Sequence, residues 1–162
     1  MGEPTLRRAT EHDVAALRKL ATLAFTKYVD RIGRPPAPMI ADFAELLGTS
    51  RVWVLAAGDD AGAGAAGDEL AGMLVTQAMS DHLYLDSIAV NPAAQGAGHG
   101  RHLLRRAEED AVEQGFEEIR LCTNEAMTEN LEFYPRQGYR EMGRGVEDGY
   151  RRVFFSKTLP SP

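Results

Sequence analysis

The chain has 162 residues, with 18 lysines and arginines against 24 aspartates and glutamates, a net charge of −6. That length suits one ordinary domain, residues 1–162, and the acidic balance argues against a general nucleic-acid binder. The lone Cys122 excludes an internal disulfide and cysteine-rich zinc patterns, the charged N-terminus lacks a signal-peptide core, and no apolar run approaches the roughly 18–20 residues of a membrane span, so a cytoplasmic protein is expected.

Residues 5–9 predict a short strand. Thr10 then precedes a run in which Val14, Leu17, Leu20, Ala21, Ala24 and Phe25 recur at helical spacing. Thr10 and Asp13 have the spacing of a capping box. Residues 31–39 hold Gly33, Pro35, Pro36 and Pro38 and read as a loop, followed by a short helix at 40–47 that ends near Gly48. Two strand-like runs, 52–57 and 70–77, flank a Gly/Ala/Asp-rich stretch at 58–68 that reads as an enlarged hairpin loop. Residues 83–90 predict a strand stopped by Asn91-Pro92. Residues 98–114 predict a helix with Leu103, Leu104, Ala107, Ala111 and Val112 on one face and Gly115 as its stop. A strand at 116–123, a short helix at 128–136, and a hairpin of 139–146 with 150–159 about Glu147-Asp148-Gly149 close the chain. Trp53 and Cys122 are expected as core residues on strands. The pattern is α/β (α+β), with a strand–loop–helix–strand unit at its centre.

That central unit carries the chemistry. Gly96, Gly98 and Gly100 stand at alternate positions between the strand and the long helix. Glycine permits positive φ and close approach of a ligand to the main chain. The first N–H groups of a helix lack internal partners and lie at the positive end of its dipole, which suits phosphate or pyrophosphate. The P-loop pattern is absent, and the G-x-G-x-x-G dinucleotide pattern fails because position 101 is Arg101. The spacing that fits is [Q/R]-x-x-G-x-[G/A], as Gln95-x-x-Gly98-x-Gly100. His12, His82, His99 and His102 show no metal-ligand set, and no metal is expected.

Placed after Ile88-Ala89-Val90-Asn91-Pro92 and before an amphipathic helix, this segment resembles the acyl-CoA motif of the GNAT superfamily of N-acyltransferases. Downstream, Asn130-Leu131-Glu132-Phe133-Tyr134-Pro135-Arg136-Gln137-Gly138-Tyr139 is similar to the family's second cofactor element, a short helix bearing a tyrosine followed by Gly-aromatic. Two residues depart from the pattern. Met127 stands where members often carry Asn, and Pro135 lies inside the short helix, where it should kink it. The resemblance covers nearly the whole chain. It implies a central mixed, mostly antiparallel twisted sheet flanked by helices, built as strand, two helices, three strands, helix, strand, helix and two closing strands.

The resemblance also implies an acetyl-CoA-dependent N-acetyltransferase acting on a primary amine by direct attack in a ternary complex. Main-chain groups of Ile88, Ala89 and Val90 would pair with the pantetheine arm, and one of their N–H groups would meet the developing oxyanion. N–H groups of Gln95, Gly96, Ala97, Gly98, His99, Gly100 and Arg101 would hold the pyrophosphate, and Asn130 would contribute to the cofactor site. Arg101, Arg105 and Arg106 could approach the 3′-phosphate, or the last two could be a solvated helix face. Tyr134 looks like the family's general acid, since a phenol stays protonated at neutral pH; a packing role is the alternative. Asp86, which alternation places on one face with Tyr84, Ile88 and Val90, is a base, an amine anchor or a structural residue. Arg31 and Arg34, in the Gly/Pro loop, and Tyr84 are candidates for acceptor binding. Cys122 is expected away from both motifs, which argues against a covalent acyl-enzyme. Free amino acids, polyamines, antibiotic amines and peptide amines all remain open as acceptors. Members are often dimers, so a homodimer is an expected arrangement. The rival readings are a non-catalytic acyl-CoA-binding sensor module on the same fold and a nucleotide-binding oxidoreductase, which the glycine spacing disfavours.

Overall fold

The structure is a computed structural model that describes residues 4–56 and 69–160, so the loop expected at 58–68 lies outside the described residues. β1 (Thr5–Arg8) leads through a 3-10 turn into α1 (Val14–Phe25). The capping box forms. The Thr10 hydroxyl accepts from the His12 N–H, and Asp13 accepts from the Thr10 N–H at 2.8 Å. Arg7 adds two bonds to Asp13, each 2.9 Å, tying β1 to the start of α1. That contact holds the Asp13 carboxyl below its ordinary pKa.

α2 (Val29–Ile32) is a single turn ended by Gly33 at φ +91°, and α3 (Phe43–Thr49) follows a 3-10 turn at Ala37–Ile40. The run 31–39 is therefore not all loop. The helix expected at 40–47 starts at Phe43 because Asp42 caps it, accepting the Glu45 N–H at 3.1 Å. Gly48 lies within its last turn rather than ending it.

The remaining elements are β2 (Arg51–Ala56), β3 (Leu70–Ala78), β4 (Leu83–Val90), α4 (His99–Glu113), β5 (Glu118–Asn124), α5 (Thr128–Arg136), β6 (Arg140–Glu147) and β7 (Tyr150–Thr158). The strands form one seven-stranded sheet in the order β1-β2-β3-β4-β5-β7-β6. Every neighbouring pair is antiparallel except β4 and β5, which the α4 crossover makes parallel. Helices cover both faces. Leu103, Leu104, Ala107 and Ala111 of α4 pack with Leu74, Leu85 and Leu121 on one face. Leu17, Leu20 and Phe25 of α1 and Phe43 of α3 pack with Val54, Met73 and Val75 on the other. At Gly72 an added Cβ would lie 2.9 Å from Leu103 Cδ1 and 3.1 Å from the Ala89 carbonyl oxygen, so α4 leaves no room for a side chain there.

Two features of β4 make room for a site. Its pairing with β5 covers only Leu83, Tyr84 and Leu85, although β4 runs on to Val90. Residues 86–90 thus keep one free backbone edge. The register against β3 also shifts: Val75 faces Ser87 and Thr76 faces Leu85, leaving Asp86 as an extra, bulged residue. The bulge corrects the expected alternation. Ile88 and Val90 turn to the α4 face that Leu83 and Leu85 occupy before the bulge, and no longer share a face with Tyr84.

Candidate functional site

Two cavities open where β4 and β5 part. The first, about 350 Å³, is walled by α3 and the 36–41 segment on one side and by Tyr84, Asp86, Ser87, Cys122, Thr123, Asn124, Tyr150 and Arg152 on the other. The second, about 460 Å³, runs along the free edge of β4 at Ile88, Ala89 and Val90, past Gln95 and Gly100, to Lys27, Glu132 and Arg136. Phe25, Ile88, Asn130 and Tyr134 line both.

At the α4 end, Gly96 and Gly98 adopt φ +91° and φ +81°, and Gly98 is the N-cap of α4. These two positions require glycine, because a side chain in that region costs about 1–2 kcal/mol. Gly100 has ordinary backbone; an added Cβ would meet the Phe133 ring at 3.7 Å. Gly96, Ala97 and Arg101 are exposed, and Gly98 and His99 are half-buried, forming the turn beside the second cavity. Arg105 is exposed. Arg106 is not directed at a ligand: it binds Asp110 at 2.7 Å and stacks 5.2 Å from the Trp53 ring centre. Trp53 is half-buried on β2, packed against the edge of the α4-side core, with its N–H on Asp110 at 2.8 Å.

Tyr134 comes from α5. Its carbonyl accepts the Tyr139 N–H at 3.0 Å while Gly138, at φ +92°, donates to the Pro135 carbonyl at 3.0 Å. This left-handed cap fixes the end of the helix. Pro135 is the penultimate residue of α5, so the lost bond falls in the last turn and no mid-helix kink is needed. The Tyr134 ring packs 5.1 Å from Phe133 and 5.8 Å from both Tyr139 and Phe155. Its hydroxyl has no hydrogen-bond partner among the described residues. Burial, with a smaller effect of Cys122, pushes its pKa above the ordinary 10. The phenol is neutral at physiological pH and free to donate.

Asp86 opens into the first cavity but is hemmed in by protein around it. Its side chain is exposed to the cavity, but the protein mass around it desolvates the carboxyl and pushes its pKa up, against a weaker pull from Arg152. Tyr84 reaches the same cavity, its hydroxyl 3.1 Å from Cys122 Sγ, and Arg152 Nη1 lies 3.4 Å from that sulfur. Cys122 is therefore a cavity residue rather than a core one, and its position does not separate it from the site. Asn130 donates to Thr123 Oγ1 at 2.9 Å and makes a long contact with Met127 Sδ at 3.6 Å. Met127 is buried in the α1-side core, filling with packing the position where a polar residue was expected.

Arg31 and Arg34 line neither cavity. Arg31 is committed to Glu129, at 2.7 Å, and to the Ala126 carbonyl. Arg34 stacks 3.5 Å over the Tyr150 ring and donates to the Asp148 carbonyl in the β6–β7 turn. Sequence reasoning missed Arg152, Tyr150, Asp42 and Glu45 as cavity residues. For the last two a signal existed: Asp42-x-x-Glu45 has capping-box spacing.

A family model described as the Acetyltransferase (GNAT) family matches residues 15–139. No curated protein matches the chain in sequence. Among solved structures, nourseothricin acetyltransferase is 23% identical, covers 98% of this chain and 99% of its own, and has a TM-score of 0.71. The ribosomal-protein-S18-alanine N-acetyltransferase from Escherichia coli is 19% identical over 98% and 96%, with a TM-score of 0.74. A Bacillus subtilis acetyltransferase solved with CoA is 22% identical over 98% and 100%, with a TM-score of 0.69. These likenesses are of fold.

Proposed function

Because the chain belongs to the Acetyltransferase (GNAT) family, we propose that it transfers an acetyl group from acetyl-CoA to a primary amine by direct attack with both ligands bound. One observation carries the reading: two cavities of different character share a wall that includes Tyr134, whose hydroxyl is unengaged. A donor in one and an acceptor in the other would meet there.

Acetyl-CoA supplies an activated acyl thioester when bound. The residues around the second cavity suit it. The free edge of β4 at 88–90 offers unpaired main-chain groups to an amide-bearing arm, and the Gly96–Gly98 turn directs N–H groups of the α4 N-terminus at a pyrophosphate. Asn130, Gln95 and Gly100 line the same path. Asp86 has no side-chain partner among the described residues and accepts the proton that an ammonium must lose before attack. Tyr134 donates its hydroxyl hydrogen toward the departing sulfur.

The first cavity, about 350 Å³, lies near the lower end of the roughly 300–1,000 Å³ range of small-molecule sites, which favours a small amine over a folded protein. The neighbours named for nourseothricin and for an alanine of ribosomal protein S18 illustrate both kinds of acceptor. The non-catalytic alternative is not favoured, because it leaves the unengaged Asp86 and Tyr134 without a task.

Acetyl-CoA binding by calorimetry, followed by thiol release across an amine panel, tests the proposal. Binding with amine-dependent release supports it; absence of binding overturns it. Stable acetylation of Cys122 that is passed on to amine, and is lost in Cys122→Ala together with turnover, would overturn direct attack.

A further inference from the structure

The first cavity carries more negative charge than amine deprotonation needs. Its acidic lining residues are Asp42, Glu45 and Asp86 against one basic residue, Arg152. Arg152 is already answered by Glu147 at 3.3 Å. Among the described residues, no lysine or arginine bridges Asp42, Glu45 or Asp86. Of the two arginines that precede the cavity wall in the chain, Arg31 is paired with Glu129, and Arg34 keeps its charge over the Tyr150 ring but does not line the cavity.

The carboxylates fall in two places. Asp86 is on β4, next in the chain to Leu85 and Ser87, and lines the cavity with Tyr134. Asp42 and Glu45 are on the α3 wall, where Asp42, Glu45, Leu46 and Thr49 recur with helical spacing and so present one face to the cavity. Asp42 and Glu45 line only this cavity and not the groove along β4. Tyr134, 6% exposed, also lines this cavity, and its hydroxyl has no partner among the described residues.

We infer that the acceptor is a small dication. Its reacting amine lies at the Asp86–Tyr134 end, and a second cationic group, joined through an apolar segment, sits against Asp42 and Glu45. This deepens the acyl-transfer reading and rests on it for the identity of the reacting end. Phe25, Phe43 and Leu46 are apolar residues lining the same cavity. A zwitterionic acceptor would bring its own carboxylate against unbalanced carboxylates. A simple monoamine would leave Glu45 without a cationic partner, while Asp42 would keep only the Glu45 N–H.

The magnitude is bounded by exposure. Asp42 and Glu45 are exposed at the cavity wall, and an exposed ion pair gives up to about fivefold in affinity. Two such contacts predict a preference on the order of tenfold, shrinking as salt is raised.

The test uses the whole protein saturated with CoA, so that no transfer occurs. Calorimetric affinities are compared for α,ω-diaminoalkanes of graded length, the n-alkylamines of matching length, and the matching ω-aminocarboxylates. The best diamine should bind about tenfold tighter than its monoamine. Glu45→Gln should cut that preference to about threefold, and Glu45→Gln with Asp42→Ser, which keeps a capping hydroxyl, should abolish it. Thermal melts report that both variants fold, and the quantity read is the diamine-to-monoamine affinity ratio. Diamines no tighter than monoamines at every length, or aminocarboxylates binding as well as diamines, overturn the inference. Thiol release with acetyl-CoA is read separately. Diamine preference in binding with no transfer to any amine keeps the dication site and removes the transferase reading. Equal kcat/KM for diamines and monoamines does the reverse.

Discussion

Replacing Tyr134 by phenylalanine removes one oxygen from a ring packed among Phe133, Tyr139 and Phe155. That oxygen has no partner among the described residues, so its loss leaves no buried group unpaired. Stability should stay within about 1 kcal/mol of the parent, a shift of roughly 2–4 °C at most in Tm. The kinetic effect is larger and can be bounded. A thiol has an ordinary pKa of roughly 8.5, and burial has pushed the Tyr134 phenol above 10. Complete proton transfer from this phenol to a departing thiolate is therefore uphill. The hydroxyl acts as a hydrogen-bond donor to a sulfur that gains charge. Bonds to charged groups contribute about 1.5–3 kcal/mol, so kcat should fall about tenfold to 150-fold. The KM for acetyl-CoA should change less than about threefold if the bond strengthens only as charge develops. Steady-state thiol release at saturating amine, with calorimetry for the cofactor, measures both. A kcat within about threefold of the parent removes the donor role, and a loss beyond about 10⁴-fold refutes the hydrogen-bond account in favour of obligatory proton transfer.

Three further outcomes follow from the same geometry. Asp86→Asn should remove the acidic limb of the kcat/KM profile; in the parent that limb should lie above the ordinary carboxyl pKa of 3.8, because burial raises it and the rate rises as Asp86 ionises. An unchanged profile would leave Asp86 a structural residue. Gly98→Val forces a branched side chain to φ +81° at the α4 N-cap; it should cost about 1–2 kcal/mol of stability and weaken acetyl-CoA binding about tenfold or more, and unchanged affinity by calorimetry would detach the turn from the cofactor. Thr76→Val should raise Tm by about 2–4 °C, because the Thr76 hydroxyl is fully buried without a partner, and a lowered Tm in a thermal melt would contradict that.

The parts of the site that depend on local chemistry were legible in the sequence. Gly96 and Gly98 take the positive φ that their spacing suggested, Thr10 and Asp13 form their box, and Gly115 ends its helix with φ +85°. What failed depended on long-range pairing. Alternation put Ile88 and Val90 beside Tyr84, but the ladder with β3 inserts Asp86 as an extra residue and turns them over. Cys122 and Arg152 look unremarkable on their own strands; pairing of β5 with β7, two strands separated in sequence by α5 and β6, sets the sulfur 3.4 Å from the guanidinium. Arg31 and Arg34 carried the right charge for a pocket, but partners far along the chain, Glu129 and Tyr150, engage them.

The bulge at Asp86 means that the site is written partly in residue count. β4 is one residue longer than its ladder with β3 requires, and that surplus residue places a carboxylate at the cavity. Deleting Asp86 would restore an unbroken ladder in which Ser87 to Val90 keep the β3 partners and faces they already have, so the loss would fall on the surplus carboxylate alone. A substitution at Asp86 would change the side chain but keep the extra residue, whereas a deletion would remove the carboxylate and the bulge together. Frame along this strand is thus a separate layer of information from identity, and identity scores such as the 19–23% seen with structural neighbours do not measure it.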